Sequence, residues 1–216
     1  MNREEVRAAL TGPVTSICLP FDNDGNIDFN GLRNQIDFDI HAGSTALILT
    51  LGNSLYTLLT DVEVEEVTKI TVDHVRGRAM VVAADRTWAT PKTLEFAQYA
   101  KDIGADALMV LPPNWANSCT SQTMVEHYVK VAEYIPIMVV TNVFATRGWP
   151  FAKEVFEHLI ESTDGFVAVK DDLVGVFARR LELFGVNGRW RRKPYYSLDD
   201  GEMEQLADFF KGLKLL

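Results

Sequence analysis

Residues 79–112 read AMVVAADRTWATPKTLEFAQYAKDIGADALMVLP, and the architecture can be built outward from them. Two unbroken runs of branched and small apolar residues, AMVVAAD (79–85) and DALMVLP (106–112), flank a segment of helical periodicity. Runs that are apolar without alternation belong to strands buried on both faces. Thr90-Pro91 opens the segment between them, with proline in a first turn where no amide donor is needed. Gly104 closes it. Strand, helix and strand in this order form a parallel pair joined by a helical crossover.

The same unit repeats on both sides. VTSICLP (14–20) and TALILTL (45–51) predict two earlier strands, separated by a helix over 29–43 that Asp28 caps. Thr60 or Asp61 caps the next helix, which runs to Gly77. SQTMVEHYVKVAEY (121–134) predicts a helix, IPIMVVTN (135–142) a fifth strand, FAKEVFEHLIEST (151–163) a helix and GFVAVK (165–170) a sixth strand. After Lys170 the alternation stops. LVGVFARRLELFG (173–185) reads as one helix, NGRWRRKPYYSL (187–198) as a loop and 199–213 as an amphipathic helix. The fold class is therefore α/β. The first strand-to-helix turn, LPFDNDGNID (19–28), lacks the glycine-rich phosphate fingerprint of an open dinucleotide fold. A TIM (β/α)8-barrel that is incomplete, with six βα units and C-terminal helices, is the better reading, since a full barrel takes about 250 residues. We expect a single barrel-like domain over 1–216, with 185–216 as a C-terminal helical segment.

With 216 residues, 47% of them hydrophobic, the chain can build a substantial core. A formal net charge of −9 argues against a nucleic-acid partner, and the short basic run Arg189, Arg191, Arg192 and Lys193 reads as a solvated loop. No apolar run is long enough to span a bilayer, so no membrane role is expected. MNREEVRAAL (1–10) is charged and helical rather than leader-like. Cys18 and Cys119 lie far apart without metal or redox spacing, which fits the reducing cytoplasm. His41, His74, His127 and His158 are spread along predicted helices, and no metal is expected.

In a barrel, chemistry sits at the C-terminal ends of the strands. Those ends carry Thr50 to Ser54, Asp85-Arg86, Pro112 to Trp115, Thr141-Asn142 and Lys170-Asp171. Of nine lysines only Lys170 ends a buried strand. Solvent at the strand exit would explain such a lysine as well as chemistry does.

Four segments decide between these uses. GPVTSICLPFDNDGNIDFNGLRNQIDF (12–38), AKDIGADALMVLPPNW (100–115), GFVAVKDD (165–172) and KPYYSLDDGEMEQLADFFKGLKLL (193–216) resemble, in order, segments of the dihydrodipicolinate synthase and N-acetylneuraminate lyase family of class I aldolases. The resemblance leaves no place for that family's seventh and eighth strands near 180–184. It implies a lyase, synthase or dehydratase acting on a small 2-oxo acid such as pyruvate, without a cofactor, in a homo-oligomer. Lys170 would condense with the substrate ketone, and the iminium would act as an electron sink for loss of the C3 proton.

Departures from the family pattern qualify the other positions. The family's fifth strand usually ends Tyr-Asn, the tyrosine relaying protons; here the pair is Thr141-Asn142. The second strand usually ends G-T-T-G-E; here it reads TLGNSLYTLL (50–59), which leaves Gly52, Asn53 and Ser54 to bind the substrate carboxylate. Tyr56 is expected to pack beneath that loop, with a phenol supplied to the site as the alternative. Arg86 is a candidate carboxylate clamp, with a surface pairing to Asp85 as the alternative, and Arg147 is a second anion contact. A catalytically silent barrel acting as a scaffold or oligomer partner is the rival reading, because six strands leave two parallel edges unpaired.

Overall fold

Every one of the six apolar runs forms a strand in a computed structural model, which describes residues 3–112, 115–172, 183 and 198–212. The strands are β1 (Val14–Ser16), β2 (Ala46–Ile48), β3 (Met80–Ala84), β4 (Ala107–Val110), β5 (Ile137–Val140) and β6 (Phe166–Lys170). They make one sheet in the order β1-β2-β3-β4-β5-β6. The pairings are parallel, with Val14 opposite Ala46, Ala46 opposite Met80, Val82 opposite Ala107 and Leu108 opposite Ile137. This sequential parallel order is the expected incomplete (β/α)-barrel arrangement, and no seventh or eighth strand occurs among the described residues.

Strands are shorter than their apolar runs because the chain leaves the ladder to form the rim. Pairing still reaches one residue past the strand end: Ile17 N donates to Ile48 O (3.0 Å), Leu49 N to Val82 O (2.9 Å) and Asp85 N to Met109 O (3.1 Å). Burial follows sheet position. Strands β2 to β5 are buried throughout, whereas β1 and β6 are partly open, with Val14 42% and Val169 44% exposed.

The crossovers are α2 (Phe29–His41), α3 (Asp61–Val75), α4 (Thr90–Asp102), α5 (Ser121–Ala132) and α6 (Gly148–Ser162), preceded by α1 (Arg3–Ala9). Asp28 caps α2 by accepting from Asn30 N (3.0 Å) and Gly31 N (2.9 Å). Thr60, rather than Asp61, caps α3 in a reciprocal capping box with Glu63. That helix ends on Val75, two residues before Gly77, with Arg76 as its C-cap at a left-handed φ of 51°. Helix α6 starts at Gly148, earlier than the sequence indicates; Pro150 is tolerated there because first-turn amides have no helical partner. Successive helices pack side by side. Leu32 and Ile36 of α2, Phe96 of α4 and Tyr128 of α5 are fully buried, each apolar side chain worth about 1.5–3 kcal/mol.

The chain divides into two compact units, Met1–Val169 and Lys170–Leu216. In the second, α7 (Asp200–Gly212) is capped by Asp199, which accepts from Glu202 N (2.8 Å) while Glu202 accepts from Asp199 N (2.9 Å). Met203, Leu206 and Phe210 make its buried stripe. The helix expected over 173–185, apart from residue 183, and the basic loop around Trp190 lie outside the described residues.

Candidate active site

The exit of β2 is a turn held together from inside. Ser54 is fully buried; its Oγ accepts from Thr50 N (3.0 Å) and donates to Ile17 O (2.8 Å). Thr50 Oγ1 accepts from Asn53 N (3.0 Å) and lies 3.3 Å from Ser16 Oγ. The Ser54 hydroxyl, expected to face a carboxylate, is thus engaged by the backbone of its own turn and of β1. Asn53 stays exposed, and a side chain built at Gly52 would meet open space. Tyr56 packs beneath, fully buried, with its phenol 3.3 Å from Thr68 Oγ1 and its ionisation pushed up by burial. Ser54→Ala would strand a buried N–H and a carbonyl. We expect it to lower unfolding free energy by roughly 1–3 kcal/mol in urea titrations.

At the β3 exit the two charged neighbours part company. Arg86 Nη1 pairs with Asp61 Oδ1 (2.9 Å), which also accepts from Trp88 Nε1 (3.2 Å). Asp85 turns inward instead and is fully buried, which rules out the alternative of a surface pairing between Asp85 and Arg86. Its Oδ1 accepts from Leu111 N (2.8 Å) and Thr87 N (3.5 Å), and its Oδ2 from Thr93 Oγ1 (3.4 Å). Burial pushes its carboxyl up to about 7 against the pull of those donors.

The β4 and β5 exits are tied to each other. Thr141 is buried and opens a short 3-10 turn, Thr141–Phe144, and Asn142 is exposed. Arg147 Nη1 donates to Asn117 O (3.2 Å) and Cys119 O (2.7 Å), its guanidinium lies 3.7 Å from the Phe151 ring centre, and Thr146 Oγ1 donates to Asn117 Oδ1 (2.7 Å). The arginine read as an anion contact therefore bridges two rim loops through backbone carbonyls. Of the expected PPNW segment, residues 113 and 114 lie outside the described residues.

Lys170 is the last residue of β6, where a parallel sheet of this architecture places its chemistry. Its ammonium pairs with Asp172 Oδ1, and the lysine side chain is 26% exposed. Residues 9–183 match the model of the Dihydrodipicolinate synthetase family. The chain belongs to that family.

Similar proteins agree with the match. The 4-hydroxy-tetrahydrodipicolinate synthase of Methanococcus maripaludis (strain C5) is 31% identical over 163 residues, covering 75% of this chain and 56% of the relative. That of Dechloromonas aromatica (strain RCB) is 32% identical over 165 residues, covering 75% and 55%. The crystal structure of a putative dihydrodipicolinate synthetase from Pseudomonas aeruginosa superposes with a TM-score of 0.67 at 28% identity, over 80% of this chain and 59% of that one. The chain thus spans a little over half the length of these relatives.

Within this family member, Gly52, Asn53 and Ser54 share one turn, Thr141 and Asn142 open the short turn after β5, and Arg147, beyond that turn, is bonded to Asn117 and Cys119. Arg86 belongs to neither, being drawn to the start of α3. The described residues hold no cluster of three potential metal ligands and no helix long and apolar enough to cross a membrane. His127 is a core residue, its Nδ1 2.8 Å from Thr90 Oγ1 and its ionisation pushed down by burial to about 4. His74 contacts Asp37 (3.0 Å) between α2 and α3. Sequence reasoning missed the buried role of Asp85. The available signal was a carboxylate directly ending the apolar run MVVAA, with a threonine eight residues on.

Proposed function

We propose that this chain is a class I lyase of 2-oxo acids, working through a Schiff base on Lys170. The observation that carries the reading is a lysine closing β6 inside the stretch matched to the family. The Lys170 ammonium leaves its ion pair with Asp172 and passes a proton to water; the free amine attacks the ketone carbon of a pyruvate-type substrate, and the proton returns to the carbinolamine oxygen. Water departs and a cationic iminium remains. Loss of the C3 proton places its electron pair in an enamine, which adds to an aldehyde; the reverse sequence cleaves the same bond. Hydrolysis of the iminium restores the amine.

Other residues take supporting roles in this reading. The exposed Asn53 side chain beside the open Gly52 is the group proposed to receive the substrate carboxylate, and Ser54 keeps that turn in shape. Thr141 and Asn142 of the β5 exit take the family's Tyr-Asn position in this reading. Threonine lacks phenolic acidity, so proton transfer would depend on water or on the substrate's own groups. A simple 2-oxo acid cleavage or condensation therefore fits better than faithful synthesis of the relatives' product. Arg86 and Arg147 act on substrate through the loops they fix. Two cysteines outside any disulfide fit a cytoplasmic setting, and the exposed outer strands fit a homo-oligomer. Those same exposed valines on β1 and β6 favour a second reading, a silent scaffold closed by a partner.

Pyruvate with borohydride separates the two. One reduced adduct per chain in the intact mass is the expected result. An unmodified mass would sink the enzymatic reading and leave the scaffold.

A further inference from the structure

Asp85 lies outside the Schiff-base machinery, yet it holds two neighbouring exits of the sheet at once. Its Oδ1 receives Leu111 N, the first residue beyond β4, and Thr87 N, from the loop that follows β3. Thr87 needs a holder: its φ of 59° is left-handed, a conformation that a β-branched residue resists. Thr93 Oγ1 of α4 lies 3.4 Å from the other oxygen and 3.3 Å from Trp88 O, so its one hydroxyl proton is divided between the two acceptors. No ion pair reaches this carboxylate among the described residues. Arg86 beside it is committed to Asp61. Lys92 of α4 pairs with Glu65 and Glu95. From α5 come His127, bonded to Thr90, and Tyr128, whose buried Oη has no hydrogen-bond partner. Cys119 enters from the β4–α5 segment; burial first, then the charges of Asp85 and Cys119, push the Tyr128 phenol up.

We propose that Asp85 is a proton-operated latch on the rim, gripping the Leu111 and Thr87 amides when ionised and easing that grip when protonated. Charge-assisted bonds to an ionised carboxylate are roughly twice as strong as neutral ones. A buried carboxyl without a cation changes protonation within reach of neutral pH, where the ionised form is costly yet bonded. Leu111 begins the segment that runs to Thr120, and Arg147 grips the far end of that segment at Cys119 O. Protonation at Asp85 would thereby change the geometry of the rim between β3, β4 and β5. This latch holds or fails independently of any chemistry at Lys170.

Amide NMR of the full chain between pH 5.5 and 8.5 tests it. The Leu111 and Thr87 amide protons are expected to shift together, with one midpoint near neutrality and downfield movement on ionisation. Asp85→Asn should abolish both shifts. Thr93→Val, which removes a donor to the charged form, should raise the midpoint. A flat Leu111 resonance in the parent protein, a titration that survives Asp85→Asn, or a midpoint unmoved by Thr93→Val would overturn the proposal. Should the Asp85 variant fail to fold, the Thr93 variant still decides between these outcomes.

Discussion

Lys170→Arg is expected to eliminate turnover of any 2-oxo acid while leaving the protein folded. A guanidinium keeps the positive charge beside Asp172 and can even bond it in bidentate fashion. It cannot lose its proton at ordinary pH, so it has no electron pair with which to attack a ketone. The iminium, the electron sink for every later step, cannot form. Loss of a covalent route should lower the rate on the order of a thousandfold or more. Stability should change by about 1 kcal/mol or less, as for a partly exposed ion pair. Steady-state assays of 2-oxo acid cleavage beside thermal melts would check both halves. Activity retained in the arginine variant would contradict the mechanism, because no other feature of arginine replaces a nucleophilic amine.

The second large effect concerns Asp85 and pH. Its carboxyl ionises at about 7 when folded, against an ordinary 3.8. Below about pH 4 both folded and unfolded chains hold the proton, and the group adds no pH dependence. As pH rises from there towards 7, the unfolded chain releases the proton while the folded chain keeps it, so stability falls. Above 7 both are ionised and the loss levels off at roughly 4 kcal/mol. Asp85→Asn removes the charge and keeps one acceptor for Leu111 N. The variant should therefore gain stability relative to the parent, by about 2–3 kcal/mol more at pH 8 than at pH 5. Urea unfolding at the two pH values would show it. An equal effect at both would mean that the buried carboxyl does not titrate as its surroundings dictate.

Much of the fold was legible in the sequence because parallel strands buried on two faces leave a simple mark. TALILTL and AMVVAAD contain no alternation to confuse, and each is bounded by a cap or glycine. Overrun at the C-terminal ends has a physical cause: Leu111 stays buried beyond β4, but its amide bonds the Asp85 side chain rather than a neighbouring strand. The site was less legible. Lys170 could be read from its place at a strand end and the motif around it. Ser54, Arg86 and Arg147 could be found as candidates, but their partners could not. The acceptor for Ser54 is the carbonyl of Ile17, 37 residues earlier, and Arg147 bonds carbonyls 28 and 30 residues away. Backbone acceptors carry no residue identity, so sequence alone cannot announce them. Asp85 was hidden for a related reason: two of its three donors are backbone amides, one of them at the end of the next strand.

The Schiff-base role of Lys170 is tested most directly by mapping where pyruvate is trapped. The protein would be reduced with borohydride in the presence of pyruvate, digested and sequenced by fragment mass. Label is expected on Lys170 and on none of the other eight lysines. Label elsewhere, or no labelled peptide at all, would refute that role.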